Sequence, residues 1–125
     1  MKKTNRPKKV GYLDQKIIIL LELDVQPSDI FLGQSNIMHM QKEHPEDFSK
    51  YFSFLPQILI SPDYVGKHPS KGSIEFIKQL DENVLVAVRA SQSGKLFVRS
   101  IYVINKEKLA RYIDSGTTVK VDTHD

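Results

Sequence analysis

Two of the four histidines, His39 and His44, stand five residues apart in the charged run SNIMHMQKEHPEDFSKY, residues 35–51. An imidazole titrates close to neutral pH, so proton transfer is the chemistry such residues bring first to mind. Shared metal binding is the other option. Two ligands on one helix need a spacing of three or four residues, whereas five residues set them about 140° apart around the axis. The chain has no HExxH pattern and no carboxylate cluster to complete a site, so neither a metal nor any other cofactor is expected. His44 falls on the helical stripe of Ile37 and Met40 and reads as the packed member of the pair. His39 points away from that stripe, toward solvent or a cleft. The plain alternative is an ordinary exposed histidine.

Strand alternation offers partners for an imidazole. Ser73, Glu75 and Ile77 share one face of a segment whose other face carries Ile74 and Phe76, with Lys78 interrupting the apolar side. Arg89 lies with Ala87 and Ser91, opposite Val84, Val86 and Val88. Strict alternation puts Val98, Ser100, Tyr102 and Ile104 on one face of the next segment, and Phe97, Arg99, Ile101 and Val103 on the other. A serine and a tyrosine beside an arginine and a glutamate describe a shallow polar cleft on a sheet, and equally a half-exposed face with ordinary polar side chains. The inventory fits metal-independent cleavage of a ribose phosphodiester. His39 and Glu75 can move protons, Arg89, Lys78 and Lys95 can offset phosphate charge, and Ser100 and Tyr102 can donate hydrogen bonds. It permits that chemistry without singling it out.

The elements that would position these residues follow from pattern. At 125 residues the chain suits one domain, here 10–116, between a polar basic tail over 1–9, expected to be disordered, and a C-terminal tail over 117–125. There is no cysteine, hence no disulfide and no thiolate nucleophile, which suits a reducing, cytoplasmic setting. The longest apolar run, Ile17–Leu21, is far too short to cross a bilayer, so no membrane partner is expected. Net charge is +3 and unevenly spread: residues 83–111 hold Arg89, Lys95, Arg99, Lys106, Lys108 and Arg111 against Glu107 alone. Such a region attracts polyanions.

LDQKIIILLEL (13–23) is ambiguous between strand and helix, with Asp14 as a potential N-cap tipping it to helix. A helix is predicted from Ser35 to about Glu43, because Pro45 disfavours helical geometry at His44, and a second helix starts at Pro45. SIEFIKQL, NVLVAVRAS and KLFVRSIYVIN read as strands joined by tight turns, DYVGKH as a further strand, and KEKLARYIDSG as a closing helix. The predicted fold is α+β: N-terminal helices packed on a four-stranded antiparallel β-meander, closed by a C-terminal helix.

NIMHMQKEHPEDFSKYFSFLPQILISPDYVG, with GSIEFIKQLDENVLVAVRAS and GKLFVRSIYVINKEKLARYI, resembles the phage-associated branch of the barnase/EndoU/colicin/RelE-like nucleases, the PBECR domains. The likeness spans about residues 30–113 and lies in an ordered set of motifs: the histidine helix before "HP", the SPDYVG exit, and the IEF, VAVR and VRSIY strands. It implies a barnase- or RelE-like fold acting on RNA without a metal, in a prophage or toxin setting, with an antitoxin or immunity protein as a possible partner. Carried over by position, the catalytic candidates are His39, His44, Glu75, Arg89, Ser100 and Tyr102, and the RNA-binding ones Lys78, Lys95 and Arg99. The reading is a metal-independent endoribonuclease working by attack of the ribose 2′-hydroxyl. The rival is an inactive RNA- or protein-binding module on the same fold.

Overall fold

The computed structural model describes residues 6–122. Its centre is one mixed sheet of seven strands in the order β1-β2-β6-β5-β4-β3-β7. The strands are β1 (Lys8–Leu13), β2 (Ser28–Leu32), β3 (Tyr64–Lys67), β4 (Ile74–Gln79), β5 (Asn83–Ala90), β6 (Leu96–Ile104) and β7 (Thr118–Lys120). The helices are α1 (Gln15–Leu21), α2 (Gln34–Glu43), α3 (Pro45–Tyr51), α4 (Leu55–Ile60) and α5 (Lys106–Asp114). This corrects the predicted architecture. The meander β3-β4-β5-β6 is the middle of a larger sheet, extended by β7 on one side and by β2 and β1 on the other. β2 joins β6 in parallel through Ile30↔Leu96 and Phe31↔Phe97, so the sheet is mixed rather than antiparallel. A parallel pair needs a long crossover between its strands, and pairing of that kind leaves no local pattern to read. Lys8 and Lys9, expected in a tail, pair with Leu32 and Phe31. Residues 1–5 of that expected tail lie outside the described residues, as do 123–125.

α1 forms as its sequence suggests. The Asp14 carboxylate accepts from the Ile17 N–H at 3.0 Å, and Glu22 at φ 53° ends the helix in left-handed geometry. β5 is buried on both faces, which explains its unbroken VLVAV run. Val84, Val86 and Val88 join Phe76, Val98, Ile101, Met40 and Leu55 in the larger core, beneath the helices of the N-terminal half. The opposite side of the strands carries a smaller core of Ile77, Leu85, Ala87, Ile104 and Leu109, the last from α5.

The α2–α3 junction is fixed by three local causes. Pro45 excludes His44 from the helical region, and its backbone sits at φ −140°, ψ 67°. Met40, buried at 0% exposure, anchors the last turns of α2 in the core. Asp47 in the first turn of α3 then accepts the Val103 N–H at 3.0 Å. That bond satisfies a backbone donor of β6 beyond the point where β2 stops pairing with it. It also brings the junction, and His44 with it, to the β6 edge beside Tyr102.

Candidate active site

Register places the polar residues. Glu75, Ala87 and Ser100 lie side by side on β4, β5 and β6, and Ile77, Leu85 and Tyr102 form the next row. Two residues along in the other direction, Arg89 pairs with Phe97, and its Nε and Nη2 each donate to Ser73 Oγ at 3.4 Å. Glu75, Ser100, Tyr102, Arg89 and Phe97 therefore share the face that carries α5.

Strict alternation fails at one point on β6. Between Ala87 and Val88 the register shifts: Ala87 faces Ser100 while Val88 faces Val98, leaving Arg99 as an extra residue. Such a bulge turns the strand by one residue. Val98 enters the larger core, whereas Ser100 joins Glu75 on the other face. The predicted grouping of Val98 with Ser100 and Tyr102 is thus split, and Phe97 comes to the site face instead.

The His44 ring stacks on Tyr102, with centroids 4.9 Å apart and planes at 25°. His44 is the N-terminal boundary residue of α3 but makes no side-chain capping bond there. Lys108 of α5 stands over the Tyr102 and Tyr112 rings, at 5.7 and 5.8 Å from their centroids. Lys108 and Tyr112 are four residues apart on one helix and so share a face.

Glu75 is the most unusual group of the set. It is buried, at 4% exposure, and among the described residues its carboxylate makes no hydrogen bond or ion pair. Burial raises its pKa, and the more distant positive charges of Lys108 and Lys71 oppose that rise only in part. Among the described residues only Thr118 Oγ1 is fully buried without a hydrogen-bond partner, so the Glu75 carboxylate oxygens keep contact with solvent, and perturbed acids of this kind concentrate where chemistry is done. Tyr102 is likewise pushed up, to about 12, by burial and then by the charge of Glu75, so it stays a neutral phenol able to donate. Its neighbours leave the group accessible: His44, Ser100, Tyr102 and Lys108 are all only partly buried.

The other sequence-predicted residues divide. Arg99 lines a cavity together with Arg89 and Phe97, and Lys95 holds its ammonium 5.3 Å from the centroid of Phe31, the ring beside Phe97. Lys78 projects from β4 to the opposite face, next to Val84, and donates to the Ser61 carbonyl at 2.7 Å. His39 is exposed on α2 and makes no hydrogen bond or ring contact among the described residues. His39 therefore faces solvent, one of the two outcomes expected for it, and His44, expected to be packed, packs against Tyr102. Met40 sits in the core, which turns His39 outward, while the proline-driven break swings His44 onto Tyr102. Lys108, Tyr112 and Ser73 were not singled out in the sequence. For Lys108 the available signal was its spacing from Tyr112.

The arrangement is an α+β domain that gathers a buried acid, an imidazole, a phenol and cations along one sheet face, a set suited to acid–base chemistry on an anionic substrate. The model of the phage-Barnase-EndoU-ColicinE5/D-RelE like nuclease3 family, PBECR3, matches residues 8–111, and the chain belongs to that family of nucleases. Neither the curated proteins nor the solved structures contain a match to it. No helix among the described residues is long and apolar enough to cross a membrane.

Proposed function

We propose that the protein is an endoribonuclease that uses the ribose 2′-hydroxyl of its own substrate as nucleophile. The single observation that carries this reading is Glu75: a buried, unpartnered carboxyl on the same sheet face as Ser100, Tyr102 and Lys108. In the proposed reaction the Glu75 carboxylate takes the proton from the 2′-hydroxyl, and the freed oxygen attacks the adjacent phosphorus. The bond from phosphorus to the 5′-oxygen breaks, and protonated His44 supplies the proton that the leaving oxygen needs. The products are a 2′,3′-cyclic phosphate and a 5′-hydroxyl, with no water or metal required for the balance. Lys108 offsets the charge that builds on the phosphate, and the Ser100 and Tyr102 hydroxyls orient it. Arg89, one row away, holds the neighbouring backbone. Protonated Glu75 and neutral His44 can then reset by proton exchange with solvent.

Family membership supports a nuclease, and the positive balance of residues 83–111 suits a nucleic acid. A cytoplasmic toxin or prophage role, with an antitoxin or immunity protein as inhibitor, belongs to this same proposal. The test is to incubate the purified protein with RNA in the presence of EDTA and to identify product ends. Cyclic phosphate ends that vanish in Glu75→Gln and His44→Ala, but persist in His39→Ala, are expected. Cleavage of DNA at an equal rate removes the 2′-hydroxyl from the mechanism and refutes it. Binding of RNA without products would instead identify a non-catalytic RNA-binding module.

A further inference from the structure

A cavity lies one row along β5 and β6 from the Glu75 group. It has a volume of about 610 Å³ and lies between the first turns of α2 and the β5–β6 ribbon. Volumes in this range suit a small ligand or a single structural unit of a polymer. Arg89 and Arg99 from the strands, Phe97 between them in sequence space, and Met38 from α2 line it. Two features distinguish it from an ordinary basic surface. First, its arginines have no acid to serve. Arg99 makes no hydrogen bond or ion pair among the described residues, and Arg89 makes only the two 3.4 Å bonds to Ser73. Elsewhere Lys9 is spent on Asp29, and Lys50 on Asp81 and Glu82. Second, the bulge that leaves Arg99 unpaired in the ladder is what sets it beside Arg89 and brings Phe97 to this face. A bidentate cation pair beside an aromatic ring is the recognition chemistry of a phosphate joined to a base.

We propose that this cavity is a nucleotide subsite flanking the cleavage centre, with the backbone phosphate held between Arg89 and Arg99 and the base stacked on Phe97. The assignment rests on the nuclease reading and extends it to substrate class. A base can lie flat on the Phe97 ring only after leaving its own stack, so the ligand is single-stranded RNA rather than duplex. The subsite and the reacting centre are adjacent along one pair of strands: Arg89 is two residues from Ala87, the neighbour of Glu75, about 7 Å along the strand.

The test uses a short RNA carrying 2′-O-methyl groups at every position. It has no free 2′-hydroxyl and cannot be cleaved by the proposed route, so binding is read whether or not catalysis occurs. Affinity is measured by fluorescence anisotropy over a range of salt concentrations, for the single strand and for the same sequence as a blunt duplex. Wild type is expected to prefer the single strand. Phe97→Leu, which keeps an apolar side chain but removes the ring, should weaken binding about 10-fold with the salt slope unchanged. Arg99→Ala, an exposed change with no packing role, should weaken binding and reduce the slope of log affinity against log salt by about 0.7. Lys16→Ala, on α1 and outside the lining of the cavity, should bind as wild type. Unaltered binding and slope in Arg99→Ala, or a duplex bound as tightly as the single strand, would overturn the subsite. Either result leaves the cleavage reaction to its own test, and failure of cleavage with these binding changes intact would sink only the chemistry.

Discussion

Glu75→Gln separates a catalytic base from a merely structural carboxyl, because it should lower the cleavage rate while raising stability at higher pH. The substitution keeps the shape of the side chain and removes its titration. If Glu75 accepts the 2′-hydroxyl proton, its loss should lower the cleavage rate by about 10²–10⁴-fold. That is about 2.7–5.4 kcal/mol of transition-state stabilisation. Stability should respond in the other direction with pH. In the fold, burial lifts the Glu75 pKa above its ordinary 4.5, so the native state holds a proton that the unfolded chain releases. The contribution of Glu75 to stability is therefore fully present below 4.5 and is lost as pH rises through the raised folded value. Each unit of displacement amounts to about 1.4 kcal/mol. Glutamine has no such loss. The stability of the variant minus that of wild type should rise with pH above 4.5 and level off once Glu75 is ionised in the fold. The cost of burying the amide itself is independent of pH and does not affect that slope. Urea denaturation across an acid-to-neutral series, paired with RNA cleavage rates, reads both effects. A variant that retains cleavage within about threefold of wild type, or a stability difference flat in pH, would refute the reasoning.

Other expectations concern the histidines and the scaffold. His44→Ala should cost about 10²-fold or more in cleavage rate, while His39→Ala should leave the rate unchanged, as followed by product formation on a common RNA. Tyr51→Phe removes a hydroxyl that lies 2.6 Å from both Asp81 and Glu82, and should destabilise by about 1 kcal/mol in chemical denaturation. The same hydroxyl holds both carboxyl pKa values down, so its contribution is present at neutral pH and lost as pH falls through those lowered values. The variant should therefore show a shallower acid-side loss of stability. Gly66→Ala would put a Cβ 2.6 Å from Thr118 Oγ1 and 2.8 Å from the Thr117 carbonyl oxygen, and should cost about 1–3 kcal/mol by thermal or urea unfolding.

Local physics was legible in the chain, and tertiary pairing was not. Pro45 dictated a break at His44, Asp14 dictated the start of α1, and the valine-rich run of β5 marked a strand, while its burial on both faces came only from the packing. Glu75 and Arg89 were assigned to strand faces by alternation alone, and the register places them there. What alternation misassigned was Ser100 relative to Val98, since one unpaired residue at Arg99 reverses every side chain beyond it, and a bulge has no reliable local signature. The seven-strand sheet was unreadable for a related reason: β2 meets β6 across more than sixty residues of chain, and β7 is only three residues long. The same limit applies to the surroundings of the two histidines. Sequence spacing fixed that His39 and His44 diverge around the helix axis. Which of them meets a tyrosine was decided by where Met40 and Asp47 anchor that helix pair against β6, because side-chain chemistry sets what a residue can do and packing sets what it can reach.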